Sequence, residues 1–277
     1  MGSPAILKHM ALQTDYVPGS PALAYDHAGH GETVVFLHGI GGNARNWHRQ
    51  VELLADRYHA IALDLRGYGN SADYEGPLAF TDFRADLIRL LDHLGVARAH
   101  LCGLSLGGRI ALDFHDEHAE RVRSLILVDT FPGYEASFTQ AGRERFVRDR
   151  RQPLLEGKEP ADIAQAVAAT LVSPKATADV TELLVDSMRR LRKDSYLKTI
   201  EAMTMYMPVA DLTRIRVPVQ IIVGADDRLT PPAISRKMAA AIPGARLLVI
   251  EDAGHLSNLE RPEIFNPCLR EFLDAIA

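Results

Sequence analysis

One serine of the 277-residue chain lies in a pattern that could make it a nucleophile. The run Gly103-Leu104-Ser105-Leu106-Gly107 follows a short apolar segment and leads into residues with helical spacing. On such a strand–turn–helix, the serine of a G-x-S-x-G motif is presented on a sharp, strained turn. Serine is a weak nucleophile unless a neighbouring base takes its proton. Ser105 is therefore predicted to be a nucleophile that works with a base from elsewhere in the chain.

The base and its orienting acid are predicted from where the later apolar segments end. His255 follows the apolar segment Arg246–Ile250, and a loop histidine at that end of a strand can reach the nucleophile. Two acids, Asp227 and Asp129, follow apolar segments and satisfy the chain order Ser, Asp or Glu, His. The acid would hold the imidazole tautomer and stabilise its cation. We expect His255 to be the base and Asp227 the acid, with Asp129 as the alternative.

Backbone N–H groups near Ser105 are predicted to bind the negative charge that develops on a substrate oxygen. Leu106 supplies one N–H at the start of a helix, where the macrodipole also favours negative charge. The run His38-Gly39-Ile40-Gly41-Gly42 follows the apolar segment Thr33–Leu37 and supplies the second N–H, which we assign to Ile40. His38 is expected to fix this loop rather than to take part in the chemistry.

The order of the apolar segments predicts an α/β fold with a mainly parallel central sheet flanked by helices. Seven segments are predicted to be strands: Ala22–Asp26 at an edge, Thr33–Leu37, Ala60–Asp64, Ala99–Cys102, Ser124–Val128, Val219–Val223 and Arg246–Ile250. From about residue 131 to residue 214 the pattern changes to amphipathic helices, Ala161–Thr170 and Thr181–Arg192 among them. We therefore predict a core of residues 10–130 and 215–277. A helical lid, residues 131–214, would cover the carboxyl edge of the sheet, where ligands bind in open α/β folds.

Composition and charge argue against several classes of protein. A net charge of −5 and a pI near 6.1 give no electrostatic reason to expect nucleic acid or an anionic membrane as partner. No apolar run approaches the roughly 18 residues that span a bilayer. The two cysteines cannot form a disulfide framework and match no zinc motif, so we expect a cytoplasmic location and no metal. Positions 1–9 look like an expression leader and are left out of the functional reasoning.

The motifs occur together in the order of a known superfamily. From about Leu23 to Ala277 the chain resembles the α/β-hydrolases, in the strings HGIGG, DLRGYGNS, GLSLGG, GADDRLTP and DAGH. Within that superfamily it is similar to serine-dependent carboxylesterases and to 3-oxoadipate enol-lactonase-like lactonases. The resemblance implies the α/β-hydrolase fold with an inserted lid and a catalytic triad that needs no cofactor. It also implies an acyl-enzyme on Ser105, released as an acid by water that His255 activates.

Other functions share parts of this pattern. Residues 39–44 also match the dinucleotide fingerprint G-x-G-x-x-A, with Asp64 ending the next segment. An NAD-binding oxidoreductase would leave the three downstream positions unexplained, however. Haloalkane dehalogenases and epoxide hydrolases resemble this fold but use an aspartate where this chain has Ser105. A carbon–carbon bond hydrolase, a cofactor-free perhydrolase and a slow-turnover ligand sensor would all keep the serine, and they stay open as alternatives.

Substrate-binding residues are expected in the lid and beside the oxyanion loop. The candidates are Trp47, Phe138, Arg145, Arg148, Met203 and Tyr206. The segment Arg143–Arg151 is densely basic, and an inward-pointing arginine there would bind a substrate carboxylate through a bidentate fork. The predicted function is hydrolysis of a small-molecule ester or lactone, which would be acidic if such an arginine is present.

Overall fold

The computed structural model of the chain describes residues 12–133, 137 and 139–276, and these residues build a sheet of eight strands. The strands are β1 (Gln13–Val17), β2 (Leu23–Ala28), β3 (Glu32–Leu37), β4 (Tyr58–Leu63), β5 (Ala99–Leu104), β6 (Val122–Val128), β7 (Val219–Gly224) and β8 (Arg246–Ile250). Their spatial order is β1-β2-β4-β3-β5-β6-β7-β8. β1 pairs with β2 and β2 with β4 in antiparallel fashion, and all other pairs are parallel. The predicted α/β class with a mainly parallel sheet is confirmed.

Strand β1 is missing from the sequence prediction, and its position corrects the place assigned to the next strand. Four of its five residues are exposed, so it lacks the apolar run that marks the other strands. β1 forms the antiparallel edge and pairs with β2, which pairs on its other side with β4. The prediction that the segment Ala22–Asp26 adds at an edge is therefore wrong, because this strand has a partner on each side.

Helices cover both faces of the sheet. In chain order they are α1 (His48–Leu54), α2 (Thr81–His93), α3 (Leu106–His118), α4 (Gln140–Leu155), α5 (Pro160–Leu171), α6 (Ala178–Arg189), α7 (Lys193–Met205), α8 (Pro232–Ala241), α9 (Ser257–Glu260) and α10 (Pro262–Asp274). The four helices α4–α7 form an insertion between β6 and β7, inside the segment predicted to be a lid. Across the described part of the chain, no helix has both the length and the apolarity that a membrane crossing requires.

Two apolar clusters, one on each face of the sheet, hold the helices in place. Successive side chains of a strand point to opposite faces, so Val34 and Phe36 of β3 join one cluster while Val35 and Leu37 join the other. The first cluster extends through α1 and α10 into the inserted helices and includes Trp47, Val51, Ile163, Leu184, Ile200 and Phe265. The insertion therefore packs on the same core that supports the sheet.

Candidate active site

Ser105 lies on the sharp turn between β5 and α3, and hydrogen bonds hold its backbone from both sides. Its φ of 54° falls in the left-handed region, which costs a non-glycine residue about 1–3 kcal/mol. The Ser105 N–H donates to Val128 O at 2.9 Å, and Thr130 Oγ1 donates to Ser105 O at 2.6 Å. The end of β6 therefore fixes the predicted nucleophile at the carboxyl edge of the sheet.

The glycines of the G-x-S-x-G motif lie where no side chain has room. A Cβ on Gly103 would lie 2.3 Å from the backbone of Gly107, and a Cβ on Gly107 would lie 2.2 Å from the carbonyl oxygen of Leu37. Across the cavity, a Cβ on Gly39 would lie 3.3 Å from the Cβ of Ser105. Because Cβ atoms do not approach backbone atoms to 2.3 Å, the turn that presents Ser105 requires glycine on both sides.

His255 and Asp227 meet beyond the carboxyl ends of β8 and β7. His255 Nδ1 lies 2.9 Å from Asp227 Oδ2, and 4% and 0% of the two side chains are exposed. Asp227 also accepts a hydrogen bond from Thr230 Oγ1 at 2.6 Å and from the N–H groups of Leu229 and Thr230 at 2.8 and 2.9 Å. An ionised carboxylate only accepts hydrogen bonds, so Nδ1 carries the proton and Nε2 becomes the basic nitrogen.

The electrostatics of this pair favour an imidazolium beside a carboxylate. Burial alone would raise the pKa of Asp227, but the charge of His255 and the hydrogen bonds from His255 and Thr230 outweigh it and hold that pKa below its ordinary value. Burial alone would lower the pKa of His255, but Asp227 and, behind it, Asp129 raise it instead. A histidine whose cation is stabilised in this way is suited to take a proton from a hydroxyl.

Asp129, the alternative acid, is buried nearby but bonded elsewhere. Its Oδ1 accepts from the N–H of Gly224 at 2.8 Å, and its Oδ2 accepts from the N–H and hydroxyl of Ser257 at 3.1 and 2.6 Å. Burial, and then the negative charge of Asp227, raise the pKa of Asp129 to about 7. None of the hydrogen bonds that the described residues give Asp129 goes to His255, so the geometry favours Asp227 as the orienting acid.

The loop between β3 and α1 passes beside Ser105 and is held in one shape. The Gly42 N–H closes it on Gly39 O at 3.0 Å. His38 supports it from behind, donating from Nδ1 to Gly39 O at 2.8 Å and accepting at Nε2 from the Leu65 N–H at 3.1 Å. Burial lowers the pKa of His38 to about 4, which keeps the ring neutral. These contacts agree with the loop-fixing role expected for this histidine.

Both predicted oxyanion donors keep an unused N–H. Leu106 is the first residue of α3, and the N–H groups of a helix's first turn have no acceptor within the helix. Ile40 lines the same cavity as Ser105. In the part of the chain that the structure describes, neither N–H donates to a loop carbonyl or to a side chain. That the two N–H groups bind one substrate oxygen stays a prediction.

Ser105, His255 and Ile40 line one cavity beneath the inserted helices. This inner cavity is small, with a free volume of about 30 Å³. Its other lining side chains come from core and lid alike: Asn46, Leu104, Arg150, Val167, Ala168, Leu171, Leu184, Met188, Leu229 and Leu256. A wider outer cavity, bordered by α4 and α5, shares Ser105 and Arg150 with this inner cavity.

Two of the six substrate-binding candidates line the outer cavity, namely Arg145 and Met203. Arg148 points away, since its side chain is 65% exposed and pairs with Asp149. Phe138 lies outside the described residues.

The two remaining candidates are held by packing away from the cavity walls. Trp47 is fully buried, with its ring 4.9 Å from that of Phe36 and 6.1 Å from that of Phe265. Tyr206 stacks on Phe80 with ring centroids 4.5 Å apart and donates its hydroxyl proton to Asp113. Their surroundings correct the expectation that they form the pocket wall.

Arg150 is the buried arginine of the basic segment, whereas Arg145 borders only the outer cavity and Arg148 is exposed. Arg150 is 8% exposed and lines both cavities. The sequence offered only a weak signal for it, because α4 carries arginines on several of its faces.

The inserted helices are hydrogen-bonded directly to the loop that carries His255. The His255 N–H donates to Leu171 O at the end of α5, at 2.7 Å. Glu260 accepts from the N–H of Gly254 at 3.0 Å and from that of Ser173 at 2.8 Å. One buried carboxylate thus joins the histidine loop to the inserted segment. No sequence motif singled out Glu260, because its two partners are brought together only by the fold.

Asp64 is used in a way that does not suit dinucleotide binding. The residue is 3% exposed, and its carboxylate accepts hydrogen bonds from the N–H groups of Ala44 and Asn70, both at 2.7 Å. An acid that binds a ribose needs a free carboxylate at the site. Here the carboxylate instead ties together the two loops that follow β3 and β4.

Comparison with known proteins assigns the family. A family model described as the α/β-hydrolase fold matches residues 32–262, a span that contains Ser105, Asp227 and His255. The chain belongs to the α/β-hydrolase fold family, and the fold predicted from its motifs is confirmed.

Individual relatives cover nearly the whole chain. The chain is 30% identical over 236 residues to 3-oxoadipate enol-lactonase 2 of Acinetobacter baylyi, across 84% of this chain and 85% of that protein. It is 31% identical over 263 residues to a 2-hydroxy-6-oxononadienedioate/2-hydroxy-6-oxononatrienedioate hydrolase of Paraburkholderia phymatum, across 90% of each. A thermophilic esterase from Thermogutta terrifontis, with malate bound, matches with a TM-score of 0.85 at 28% identity, across 95% of this chain and 99% of that one. The similarity therefore includes the inserted helices as well as the sheet.

Proposed function

We propose that the protein is a serine hydrolase that cleaves a small carboxylic ester or lactone through an acyl-enzyme intermediate. The observation that carries the proposal is the cavity itself. It brings Ser105, on its strained turn, together with Ile40 and with a His255 that is hydrogen-bonded to Asp227. A nucleophile, a base oriented by a third group, and free N–H donors are the parts that acyl transfer needs.

The first half of the reaction forms the acyl-enzyme. Ser105 Oγ attacks the carbonyl carbon of the substrate while its proton passes to His255 Nε2. The imidazolium is stabilised by Asp227, whose carboxylate stays ionised. The N–H groups of Ile40 and Leu106 bind the oxyanion of the tetrahedral intermediate. When the intermediate collapses, the bond to the leaving oxygen breaks and His255 gives that oxygen its proton.

The second half releases the acid. A water molecule in the cavity attacks the acyl carbon, His255 takes its proton, and the same two N–H groups bind the second oxyanion. Collapse of this intermediate breaks the bond to Ser105 Oγ, which regains a proton from His255. A lactone follows the same course, except that its leaving oxygen stays attached to the acyl group.

The relatives support a small substrate that carries a carboxylate. The names of two of them refer to 3-oxoadipate and to a dienedioate, and the Thermogutta esterase has malate bound. Each of these molecules contains a carboxylic acid. The outer cavity, which shares Ser105 with the inner one, has a free volume of about 810 Å³, within the usual range for a small-molecule site.

The test is an assay of wild type and Ser105→Ala on p-nitrophenyl esters, lactones and half-esters of dicarboxylic acids. Wild type should turn over at least one class, and Ser105→Ala should lower kcat by a factor on the order of 10⁴ to 10⁶. Ser235→Ala, which removes a buried hydroxyl from α8 outside both cavity walls, is the matched control and should keep full activity. Turnover that survives in Ser105→Ala would contradict the serine mechanism.

A carbon–carbon bond hydrolase is the second candidate, favoured by the 31% identity to the Paraburkholderia hydrolase. The same triad would serve it, with a carbon leaving group in place of an oxygen. Turnover of a dienedioate of the kind named for that relative, with no turnover of any ester or lactone, would favour this reading. A folded protein that binds these compounds but turns none of them over would favour a ligand sensor.

A further inference from the structure

Arg150 combines deep burial with a position on the reaction cavity. The residue is 8% exposed and lines the inner cavity together with Ser105 and His255. Its guanidinium carbon lies 4.2 Å from the centroid of the Phe146 ring. Burial raises the pKa of Tyr196, and the nearby positive charge of Arg150 opposes that rise. The face of the Phe146 ring packs on the guanidinium, and neither Phe146 nor Tyr196 offers it a carboxylate.

The inner cavity offers Arg150 no carboxylate. Among the described residues, none of the inner lining side chains is Asp or Glu, and Arg150 takes part in none of the ion pairs. The half-buried Arg66 shows how this chain neutralises a guanidinium. Its Nε and Nη2 donate to the two carboxylate oxygens of Asp86 at 2.6 and 2.7 Å. Arg150 is also buried, but among the described residues it has no carboxylate within ion-pair distance that would complete such a fork.

A buried guanidinium without a counter-charge is costly, and the cost falls when an anion binds. The planar fork of arginine matches the two oxygens of a carboxylate, with two parallel N–H···O bonds. Resting on the function proposed above, we infer that Arg150 is the specificity residue that binds a carboxylate on the substrate, separate from the carbonyl that Ser105 attacks. The preferred substrate is then a half-ester of a dicarboxylic acid, or a lactone that bears a carboxylate.

The experiment compares substrates that differ only in this charge. The monoethyl esters of succinate, glutarate and adipate are each paired with the corresponding diethyl ester, and acid release is followed in a pH-stat. Wild type should show a higher kcat/KM for at least one monoethyl ester than for its diethyl partner. The chain length with the largest ratio measures the spacing between Ser105 and Arg150.

The decisive variants are Arg150→Met, Arg150→Lys and Arg151→Met. Arg150→Met should lower kcat/KM for the preferred monoethyl ester by about 10- to 150-fold, the range that a charge-assisted hydrogen bond gives. Its kcat/KM for the diethyl ester should change by less than about threefold, because that substrate has no carboxylate to lose. The kcat/KM of Arg150→Lys for the monoethyl ester should lie between those of wild type and Arg150→Met, because lysine keeps the charge but lacks the planar fork. Arg151→Met makes the same replacement one residue along α4, outside both cavity walls, and should leave both esters unchanged.

Two kinetic results would overturn the inference while leaving the serine mechanism intact. One is equal turnover of charged and neutral esters by wild type; the other is an equal loss on both esters in Arg150→Met, which would assign a structural role to this arginine.

A binding measurement keeps the inference testable if no ester is turned over and the proposed function fails. Titration of Ser105→Ala with glutarate in a calorimeter should give saturable binding, and adding Arg150→Met should weaken it at least about tenfold. Binding that is absent, or that Arg150→Met does not weaken, would overturn the anion site directly.

Discussion

Polar groups at the carboxyl edge of the sheet are buried and bonded to neighbouring strands and loops, whereas most polar side chains of the inserted helix α4 are exposed. Ser105, Asp129 and Asp227 each make two or more hydrogen bonds to neighbouring backbone or side chains. In α4 only Arg150 and Leu154 are buried. The difference supports a division in which the edge carries the chemistry, which tolerates little displacement, and the lid selects the substrate. Substitutions at the edge should then affect every substrate, and those on α4 only some.

The largest effect is expected at the acid. The substitution Asp227→Asn replaces the ionised carboxylate that accepts the Nδ1 proton of His255 with a neutral amide. The kcat should therefore fall by a factor on the order of 10⁴ on every ester. Asp129→Asn is the matched control. Among the described residues, the carboxylate of Asp129 accepts hydrogen bonds only from Gly224 and Ser257, so this variant should lose far less kcat while unfolding at a lower temperature. Rates of both variants on one ester decide the assignment, and the reverse order would make Asp129 the orienting acid.

The second prediction concerns stability. It compares how much room a new methyl group has in each of the two regions. In Gly107→Ala the new Cβ would lie 2.2 Å from Leu37 O, so the turn must move and the free energy of unfolding should fall by about 1–3 kcal/mol or more. Gly142→Ala, in the first turn of α4, meets only Thr139 Oγ1 at 3.4 Å and should stabilise the helix by up to about 1 kcal/mol. Denaturant unfolding of both variants tests the contrast. Equal destabilisation would mean that the lid is packed as tightly as the turn.

Much of the edge could be predicted from sequence because its requirements are local. The turn at Ser105 needs glycines within two residues, and each polar group follows an apolar strand whose end fixes its position. Less could be predicted for the inserted helices, because the arginines of α4 occupy several faces and only its burial against Phe146 in the fold distinguishes Arg150. β1 was missed for a related reason: its exposed residues leave no apolar run, and pairing with β2 is what makes it a strand.

The third prediction concerns the carboxylate where lid and edge meet. In Glu260→Gln, one oxygen becomes an NH₂ group that faces the N–H of either Gly254 or Ser173, so a buried donor loses its acceptor. The free energy of unfolding should fall by about 1–3 kcal/mol, and kcat should fall on charged and neutral esters alike because the His255 loop shifts. Glu263→Gln, an exposed neighbour, serves as control. A change in the ratio of kcat on the charged ester to kcat on the neutral ester would instead show that Glu260 acts on substrate choice.

The smallest expected effect is on the pKa of His255. It tests whether the charge of Arg150 on α4 influences the catalytic histidine. Only neutral His255 can act as base, so kcat/KM should fall as the pH drops through the pKa of His255, which Asp227 and Asp129 raise above its ordinary value of 6.5. The positive charge of Arg150 works in the opposite direction and lowers that pKa. Arg150→Met should therefore raise it and move the acid limb of the profile to higher pH, even for a diethyl ester that lacks a carboxylate. Arg151→Met should leave the limb in place. A limb that does not move in Arg150→Met would confine this arginine to substrate binding and sharpen the separation between lid and edge.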